Sequence, residues 1–305
     1  MAYQTAQATR KILITGITGQ VGFELARTLS CFGTILAPTR SEFDLNQNES
    51  IQAFIETHRP DWIINPAAYT AVDQAEKEPE TAMQVNYHAV HTLAMLASQL
   101  NIPLIHFSTD YVFNGSNTKP YVETDPLHPI NVYGQSKALG EQAILDFAAH
   151  TPFPHLILRT SWVYATRGKN FLLTILKLAQ ERPELKIIND QFGAPTWARH
   201  LAELVSFLVI QMERFSPEER LAKSGIYHAT AAGQTTWYEF AKAIIEGSPE
   251  QIPTPPQIYP IPATEYPLPA ARPYYSTLSS EKLFNQFGVN IPHWQEGLTL
   301  ALNQK

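Results

Sequence analysis

The chain has 305 residues, of which 44% are hydrophobic and 16% are charged, so it can bury a large core and is not disordered over most of its length. Its net charge of −6 provides no general electrostatic field that would attract nucleic acid or an anionic membrane. Any anionic ligand must therefore be held by a local site.

Cysteine usage and the lack of long apolar runs narrow the class of protein further. Cys31 is the single cysteine and cannot form an internal disulfide, and the sequence has no Cys/His cluster with zinc spacing. The first ten residues are polar, and no stretch approaches the roughly 18 apolar residues of a membrane span. We expect a cytoplasmic protein with no nucleic-acid or membrane partner, whose first ten residues form a loose extension.

Short apolar runs alternate with helical patterns as far as Arg159. A helix is expected after the first strand, and others from Glu49 to Glu56, from Ala82 to Leu100 and from Ser136 to Ala149. This order predicts an α/β fold of the Rossmann type, a doubly wound parallel sheet that binds ligands at the carboxyl ends of its strands. The strands are predicted from Lys11 to Thr15, Thr34 to Ala37, Trp62 to Asn65, Pro103 to Ser108 and His155 to Arg159.

The alternation of strand and helix patterns becomes irregular beyond Arg159. Helices are predicted there from Phe171 to Glu181, from Trp197 to Met212 and from Thr236 to Glu246. We expect a smaller, interleaved C-terminal substrate domain. The dinucleotide-binding domain is predicted to comprise residues 1–165 and 194–230, and the substrate-binding domain residues 166–193 and 231–305. Eight of the 23 prolines fall between Gln251 and Pro273, which predicts either an ordered loop over a binding cleft or a plain linker.

Glycines recur at intervals of three directly between the first strand and the first helix, at Gly16, Gly19 and Gly22. Glycine at such a turn permits a tight bend and a close approach of the backbone to a diphosphate, while the helix N-terminus presents free N–H groups. An ordinary strand-to-helix turn can show the same glycines. Their position after an N-terminal apolar strand favours dinucleotide binding.

Tyr133 and Lys137 are four residues apart, which places a phenol and an ammonium on one face of a helix. A neighbouring cation favours the phenolate and is expected to lower the pKa of the tyrosine, which suits proton transfer to a carbonyl oxygen. Such a pair alone is usually a solvated helix face. It gains meaning because Ser108 and Thr109 end an apolar strand, where a hydroxyl can hold the same carbonyl.

Six segments in this order through nearly the whole chain resemble the dTDP-4-dehydrorhamnose reductase family of extended short-chain dehydrogenases/reductases. The resemblance implies an NAD(P)H-dependent oxidoreductase that reduces the C4 ketone of dTDP-4-dehydro-β-L-rhamnose to dTDP-L-rhamnose. The segments are residues 16–22, 65–73, 108–113, 131–137, 159–164 and 189–196.

The resemblance also assigns catalytic roles. It implies that Tyr133 gives a proton to the C4 oxygen, that Lys137 tunes this phenol and holds the nicotinamide ribose, and that Thr109 donates a hydrogen bond to the carbonyl. The implied cofactor-binding residues are Gly16, Gly19, Gln20, Val21, Gly22, Thr39, Arg40, Ser41, Asp44, Leu45, Ala67, Ala68, Tyr69, Thr70, Tyr133 and Lys137.

Residues expected to contact the sugar nucleotide follow from the same resemblance. Trp162 could instead be a core residue, Asp110 could cap a turn, and Arg272 could form a surface ion pair; Asp44, on the cofactor side, could be a polar cap before a helix. The implied substrate-binding residues are Val72, Thr109, Asp110, Tyr111, Trp162 and Arg272.

Thr39, Arg40 and Ser41 follow the second strand, where NAD-preferring Rossmann proteins usually carry an acid. These three residues include no acid, and Arg40 could bind a 2′-phosphate. We therefore expect NADPH to be preferred, with NADH also accepted. A solvated arginine without a role is the alternative.

Metal and assembly are predicted from the resemblance as well. Some members of the family dimerise around magnesium held by glutamates, and Glu24 matches one such position, but acidic residues cannot be placed at the others. We expect no metal, and the chain could form a homodimer.

Two other functions are compatible with the sequence. One is a sugar-nucleotide epimerase or dehydratase, which recycles its hydride. The other is a non-catalytic dinucleotide-sensing regulator, which intact Tyr133, Lys137 and Thr109 argue against.

Overall fold

The computed structural model describes residues 10–303, so the loose extension expected over residues 1–10 lies, apart from Arg10, outside the described residues. Within this range no helix is long and apolar enough to cross a membrane. The strands in the described residues are β1 (Lys11–Ile14), β2 (Thr34–Leu36), β3 (Trp62–Asn65), β4 (Leu104–Thr109), β5 (His155–Thr160), β6 (Val163–Tyr164), β7 (Glu184–Ile188), β8 (Phe192–Gly193), β9 (Thr196–Trp197), β10 (Gly225–His228), β11 (Ala231–Ala232), β12 (Thr235–Thr236), β13 (Gln257–Ile261) and β14 (Ile291–His293).

Helices separate most of these strands. A π-helical turn, Gln84–His88, joins α4 to α5, and short 3₁₀ turns cover Asp110–Val112 and Ala263–Glu265. The α-helices in the described residues are α1 (Gln20–Leu29), α2 (Asn48–His58), α3 (Val72–Ala75), α4 (Pro79–Met83), α5 (Ala89–Leu100), α6 (Val132–His150), α7 (Phe171–Glu181), α8 (Ala198–Arg214), α9 (Pro217–Ala222), α10 (Trp237–Glu246), α11 (Glu281–Phe287) and α12 (Trp294–Leu302).

Six strands form a parallel sheet in the order β10-β5-β4-β3-β1-β2. The chain runs outward from β1 to β2 and then returns to place β3 on the other side of β1. The loops that leave β1 and β3 therefore diverge and open a crevice at the carboxyl ends of these strands. The predicted α/β fold of the Rossmann type is confirmed.

The apolar runs of the strands are explained by burial on both faces of the sheet. In β1, Ile12 and Ile14 belong to one core cluster and Leu13 to another, because successive side chains of a strand point to opposite faces. Helices α1 and α8 cover the first cluster, and α2 and α5 cover the second. A strand enclosed in this way has no polar face, as in other parallel sheets.

The irregular C-terminal half forms short two-stranded pairings, β13 with β7, β12 with β8, β6 with β9 and β11 with β14. The prediction of a loop throughout the proline-rich segment is wrong for β13, which pairs in parallel with β7. Gln257 directs its N–H to the carbonyl of Pro183, so by alternation Pro260 faces away from β7 and its missing donor costs no hydrogen bond.

Strand β10 lies at one edge of the main sheet, next to β5. The chain therefore returns to the main sheet at Gly225–His228. The first core cluster also continues from Ile12 of the sheet to Phe240 of α10, so the two parts share one apolar core.

Candidate active site

A cavity of about 670 Å³ opens at the carboxyl ends of β1, β3, β4 and β5. Many of the residues predicted from the sequence line it together, although they are distant along the chain. They are Gly16, Gly19, Gln20, Val21, Gly22, Ala67, Ala68, Thr70, Val72, Thr109, Asp110, Tyr111, Tyr133, Lys137 and Trp162.

The glycine turn forms one end of this cavity. Gly16 has φ +57°, and a Cβ on it would lie 2.9 Å from the Cβ of Ala67, while a Cβ on Gly22 would lie 2.3 Å from the carbonyl oxygen of Gly16. At Gly16 both the backbone conformation and the lack of space exclude a side chain, and at Gly22 the lack of space excludes one. Helix α1 begins after Gly19 with no side-chain cap, which leaves its first N–H groups available to a diphosphate. The turn fits a dinucleotide.

Helix α6 carries the reactive pair and begins earlier than predicted, at Val132, because the side chain of Asn131 accepts a hydrogen bond of 2.7 Å from the N–H of Gly134. Tyr133 thus lies in the first turn and Lys137 one turn later. The ring of Tyr133 packs edge-on against Tyr111, with ring centroids 5.7 Å apart.

Burial in the cavity wall raises the pKa of Tyr133 to about 12, against a hydrogen bond with Thr109 that lowers it. The expectation that Lys137 lowers this pKa is not met, because burial is the dominant influence. Tyr133 is therefore protonated at neutral pH and can act as a proton donor.

The Lys137 side chain reaches from α6 to β4. Its Nζ donates to the carbonyl oxygen of Phe107 at 2.6 Å and lies 3.3 Å from Nε2 of His106. Burial lowers the pKa of Lys137 to about 8, and the charge of Glu141 partly opposes this shift. At neutral pH the side chain is therefore still largely an ammonium.

Asp110 follows β4 and is 2% exposed. One carboxyl oxygen accepts from the hydroxyl of Thr109 at 3.0 Å, and the other has no hydrogen-bond partner among the described residues. Burial raises the pKa of Asp110 to about 7, against hydrogen bonds from neighbouring groups. The carboxyl is thus only half ionised near neutral pH, and its unpartnered oxygen is buried in the wall of the cavity.

Asp110→Asn is expected to raise the melting temperature most at pH values above 7 and to have little effect below about pH 4. The folded state raises the pKa of the carboxyl, so folding favours its protonated form. The stability this provides is fully present below the ordinary pKa of 3.8 and is lost as pH rises from there through about 7. The neutral amide avoids that loss. Melting curves at acid and alkaline pH test this, and an equal shift at both would contradict the assignment.

Trp162 follows β5 with φ +45°, a strained conformation for an aromatic residue. Its indole stacks on that of Trp237 with ring centroids 3.5 Å apart, and a Cβ on Gly193 would lie 2.4 Å from it. Trp162 therefore packs on a second indole and also lines the cavity. The prediction of a core residue and the prediction of a substrate contact each apply to part of this side chain.

Sequence reasoning missed several residues of this cavity. Trp237 begins α10 after the capping Thr236, a local signal that predicts a helix start but not its place in the molecule. Asn170 caps α7 and donates to Oε1 of Gln20 at 2.8 Å, joining α7 to the glycine turn. The other missed lining residues are Thr18, Pro66, Phe107, Thr160, Ser161, Val163, Gly168 and Lys169.

Other predicted residues do not line the cavity. Arg272 forms a bidentate pair with Asp73, with N–O distances of 2.9 and 2.7 Å, which is the ion pair weighed as its alternative. Asp44 accepts from the backbone N–H of Asn46 at 3.0 Å in the turn before α2, but the N-cap residue of that helix is Gln47 and no side chain caps it. The predicted residues outside the cavity lining are Thr39, Arg40, Ser41, Asp44, Leu45, Tyr69 and Arg272.

The turn after β2 contains an acid that the sequence argument did not use. The carboxylate of Glu42 accepts from the backbone N–H and the hydroxyl of Thr39, each at 2.8 Å, and these bonds lower its pKa. Arg40 is 80% exposed and lies 3.5 Å from a carboxylate oxygen of Asp44. The turn thus presents the exposed guanidinium of Arg40 near the hydrogen-bonded carboxylate of Glu42.

Glu24, the position matched to a magnesium ligand, is paired with arginines. Its carboxylate accepts from Nε of Arg27 at 2.9 Å and from Nε of Arg199 at 3.3 Å. Two cations beside one carboxylate compete with a divalent metal for it. The expectation of no metal stays a prediction.

A glycine turn at the switch point of a parallel sheet, joined by one cavity to a buried tyrosine and lysine on a single helix face, defines a dinucleotide-dependent oxidoreductase of the Rossmann type. The chain belongs to the family described as RmlD substrate binding domain, whose model matches residues 10–305.

Similar enzymes and a similar crystal structure support this family membership. The dTDP-4-dehydrorhamnose reductase of Burkholderia thailandensis is 46% identical, covering 96% of this chain and 98% of that protein, and the enzyme of the same name from Escherichia coli K12 is 43% identical, covering 96% and 97%. A crystal structure of dTDP-4-dehydrorhamnose reductase from Bacillus anthracis in complex with NADP superposes with a TM-score of 0.86 at 32% identity, covering 97% of this chain and all of that one.

Proposed function

We propose that this protein is an NAD(P)H-dependent oxidoreductase that reduces the C4 ketone of dTDP-4-dehydro-β-L-rhamnose to dTDP-L-rhamnose, a step of dTDP-rhamnose biosynthesis. The observation that carries the proposal is the cavity in which Thr109, Tyr133 and Lys137 meet, continuous with the glycine turn. The names of the similar enzymes supply the substrate.

The glycine turn and the N-terminus of α1 hold the diphosphate of the dinucleotide, whose nicotinamide supplies a hydride when bound. Thr109, whose single hydroxyl hydrogen is directed to Asp110 in this structure, turns that hydrogen to the ketone oxygen, and Tyr133 gives the same oxygen its proton. The ammonium of Lys137 favours the phenolate that remains on Tyr133. Holding these groups in register supplies a large part of the rate.

The wall of the cavity selects the substrate. The stacked indoles of Trp162 and Trp237 give the sugar a flat apolar surface, and Val72 adds to it. Asp110, which also lines the cavity, accepts a hydroxyl of the sugar nucleotide. Tyr111 completes this side, while Arg272 remains bound to Asp73 and reaches phosphate only if that pair opens.

The direct test is incubation of the purified protein with NADPH and dTDP-4-dehydrorhamnose, followed by NMR of the product. Stoichiometric oxidation of NADPH with formation of dTDP-L-rhamnose is the expected result. An isomerised or dehydrated sugar with no net use of NADPH would instead identify an epimerase or a dehydratase. Dinucleotide binding without turnover on a panel of dTDP-4-keto sugars would identify a regulator.

NADPH is expected to give a higher kcat/KM than NADH, and Arg40→Ala to remove most of the difference by reducing the value for NADPH alone. A charge-assisted hydrogen bond from Arg40 to the 2′-phosphate contributes about 1.5–3 kcal/mol where partly shielded. The neighbouring Glu42 opposes the same phosphate, so the preference is not exclusive. Arg182→Ala, which removes an exposed arginine after α7, is the matched control. Equal loss with both cofactors would contradict the role of Arg40.

Domain organisation, assembly and location are part of the same proposal. Residues 1–165 and 194–230 form the dinucleotide-binding domain, and residues 166–193 and 231–305 the substrate-binding domain. A cytoplasmic enzyme without bound metal, either monomeric or a homodimer, is consistent with its single cysteine and with Glu24 being held by arginines. Light scattering with and without magnesium tests the assembly.

A further inference from the structure

A line of buried polar side chains crosses the sheet beneath the cavity. Thr15 at the end of β1, Asn65 at the end of β3 and His106 in β4 lie on neighbouring strands, and Lys137 of α6 meets the last of them. The hydroxyl of Thr15 is 2.6 Å from Oδ1 of Asn65, and Nδ2 of Asn65 is 3.0 Å from Nδ1 of His106. Each of the four is at most 2% exposed. The line therefore links the glycine turn to the reactive lysine without solvent.

His106 has no part in the mechanism given above. Burial lowers its pKa well below the ordinary value, and the charge of Lys137 adds to this. The imidazole is therefore neutral, with one N–H and one free lone pair. Nε2 accepts from the ammonium of Lys137 when Nδ1 carries the hydrogen, and it donates to the neutral amine when Nε2 carries it.

The amide of Asn65 can serve either tautomer of His106. Its NH₂ group donates to a bare Nδ1, and after a flip its carbonyl oxygen accepts from an Nδ1–H. The hydroxyl of Thr15 can donate to the amide oxygen or accept from the amide nitrogen. A fixed apolar core offers no such adjustment, and a buried donor left without an acceptor here would be destabilising.

The remaining groups near Lys137 are already committed. The carboxylate of Glu141, one turn further along α6, is bound by the guanidinium of Arg159 from β5 and by the hydroxyl of Ser108 from β4. The carbonyl of Phe107 can only accept. The titratable or charged groups that face this region are His106 from β4, Asp110 after β4, Tyr133 and Glu141 from α6, and Arg159 from β5.

We propose that His106 is a positioning residue, which holds Nζ of Lys137 through Nε2 and changes tautomer, together with the Asn65 amide, when Lys137 gains or loses its proton. The inference rests on the proposed function only for the importance of Lys137. The contact itself is independent of the substrate.

The first test uses the unaltered protein with ¹⁵N-labelled histidine and no substrate. Two-dimensional ¹H–¹⁵N spectra should show His106 bare at Nε2 near about pH 6 and protonated at Nε2 near about pH 10, on either side of the pKa of about 8 of Lys137. His106→Gln identifies the signal, and Lys137→Met should abolish the change. One tautomer at every pH, or a change that persists in Lys137→Met, would overturn the proposal even if the enzyme reduces its substrate as expected.

The second test compares three variants of His106 by kinetics. Gln can place an oxygen where Nε2 contacts Lys137, Asn can place one only where Nδ1 contacts Asn65, and Leu can do neither. Leu and Asn are expected to lower kcat about tenfold or more through a misplaced lysine, while Gln restores most of the turnover. Rescue by Asn and not by Gln would show that His106 merely supports Asn65. If Leu prevents folding, the comparison of Gln with Asn decides.

Discussion

Tyr133→Phe is expected to lower kcat by about 10²-fold or more while leaving dinucleotide binding largely intact. The phenol carries its proton at neutral pH, since burial raises its pKa further above neutrality, to about 12, and it lies with Thr109 and Lys137 in one cavity. Removal of the hydroxyl deletes the proton donor without opening a space in the wall. Single-turnover oxidation of NADPH in the presence of the ketone, together with the Kd for NADPH, measures the two effects separately.

A matched control is Tyr227→Phe, which removes a buried phenol outside the cavity lining, one that donates to the carbonyl of Lys223. This variant is expected to keep its kcat. Near-full turnover in Tyr133→Phe, or a comparable loss in both variants, would refute the assignment of Tyr133.

Arg159→Met is expected to lower the free energy of unfolding by about 3–5 kcal/mol, because it leaves Glu141 as an uncompensated buried charge. Both side chains are 1% exposed, and the guanidinium donates to the two carboxylate oxygens at 2.9 and 2.6 Å. Urea unfolding curves measure the loss.

The double variant Arg159→Met with Glu141→Leu tests the cause of that loss. It removes both charges and is expected to regain a large part of the stability, since an apolar pair of similar volume often replaces a buried ion pair without net cost. If Arg159→Met is as stable as the unaltered protein, Arg159 does not stabilise the buried charge of Glu141. A double variant no better than the single one would assign the loss to packing against Phe113, whose ring faces Arg159.

The sequence by itself determined the α/β order, the position of the glycine turn and the pairing of Tyr133 with Lys137. These features depend on local periodicity and spacing: an apolar strand buried on both faces reads as a continuous run, and a separation of four residues places two side chains on one helix face. A hydroxyl at the end of β4, from Ser108 or Thr109, follows from the same logic, because the ends of parallel strands meet at one edge of the sheet, while the choice of Thr109 came from the family resemblance.

Tertiary structure alone decided which distant residues complete the site and what their charges do. Arg272 meets Asp73, Trp237 stacks on Trp162, and His106 contacts Lys137 only because the fold brings separate elements together. No local pattern specifies such partners. The pKa of Tyr133 shows the same limit: spacing to a cation predicted a fall, but burial, a property of the assembled fold, raises it.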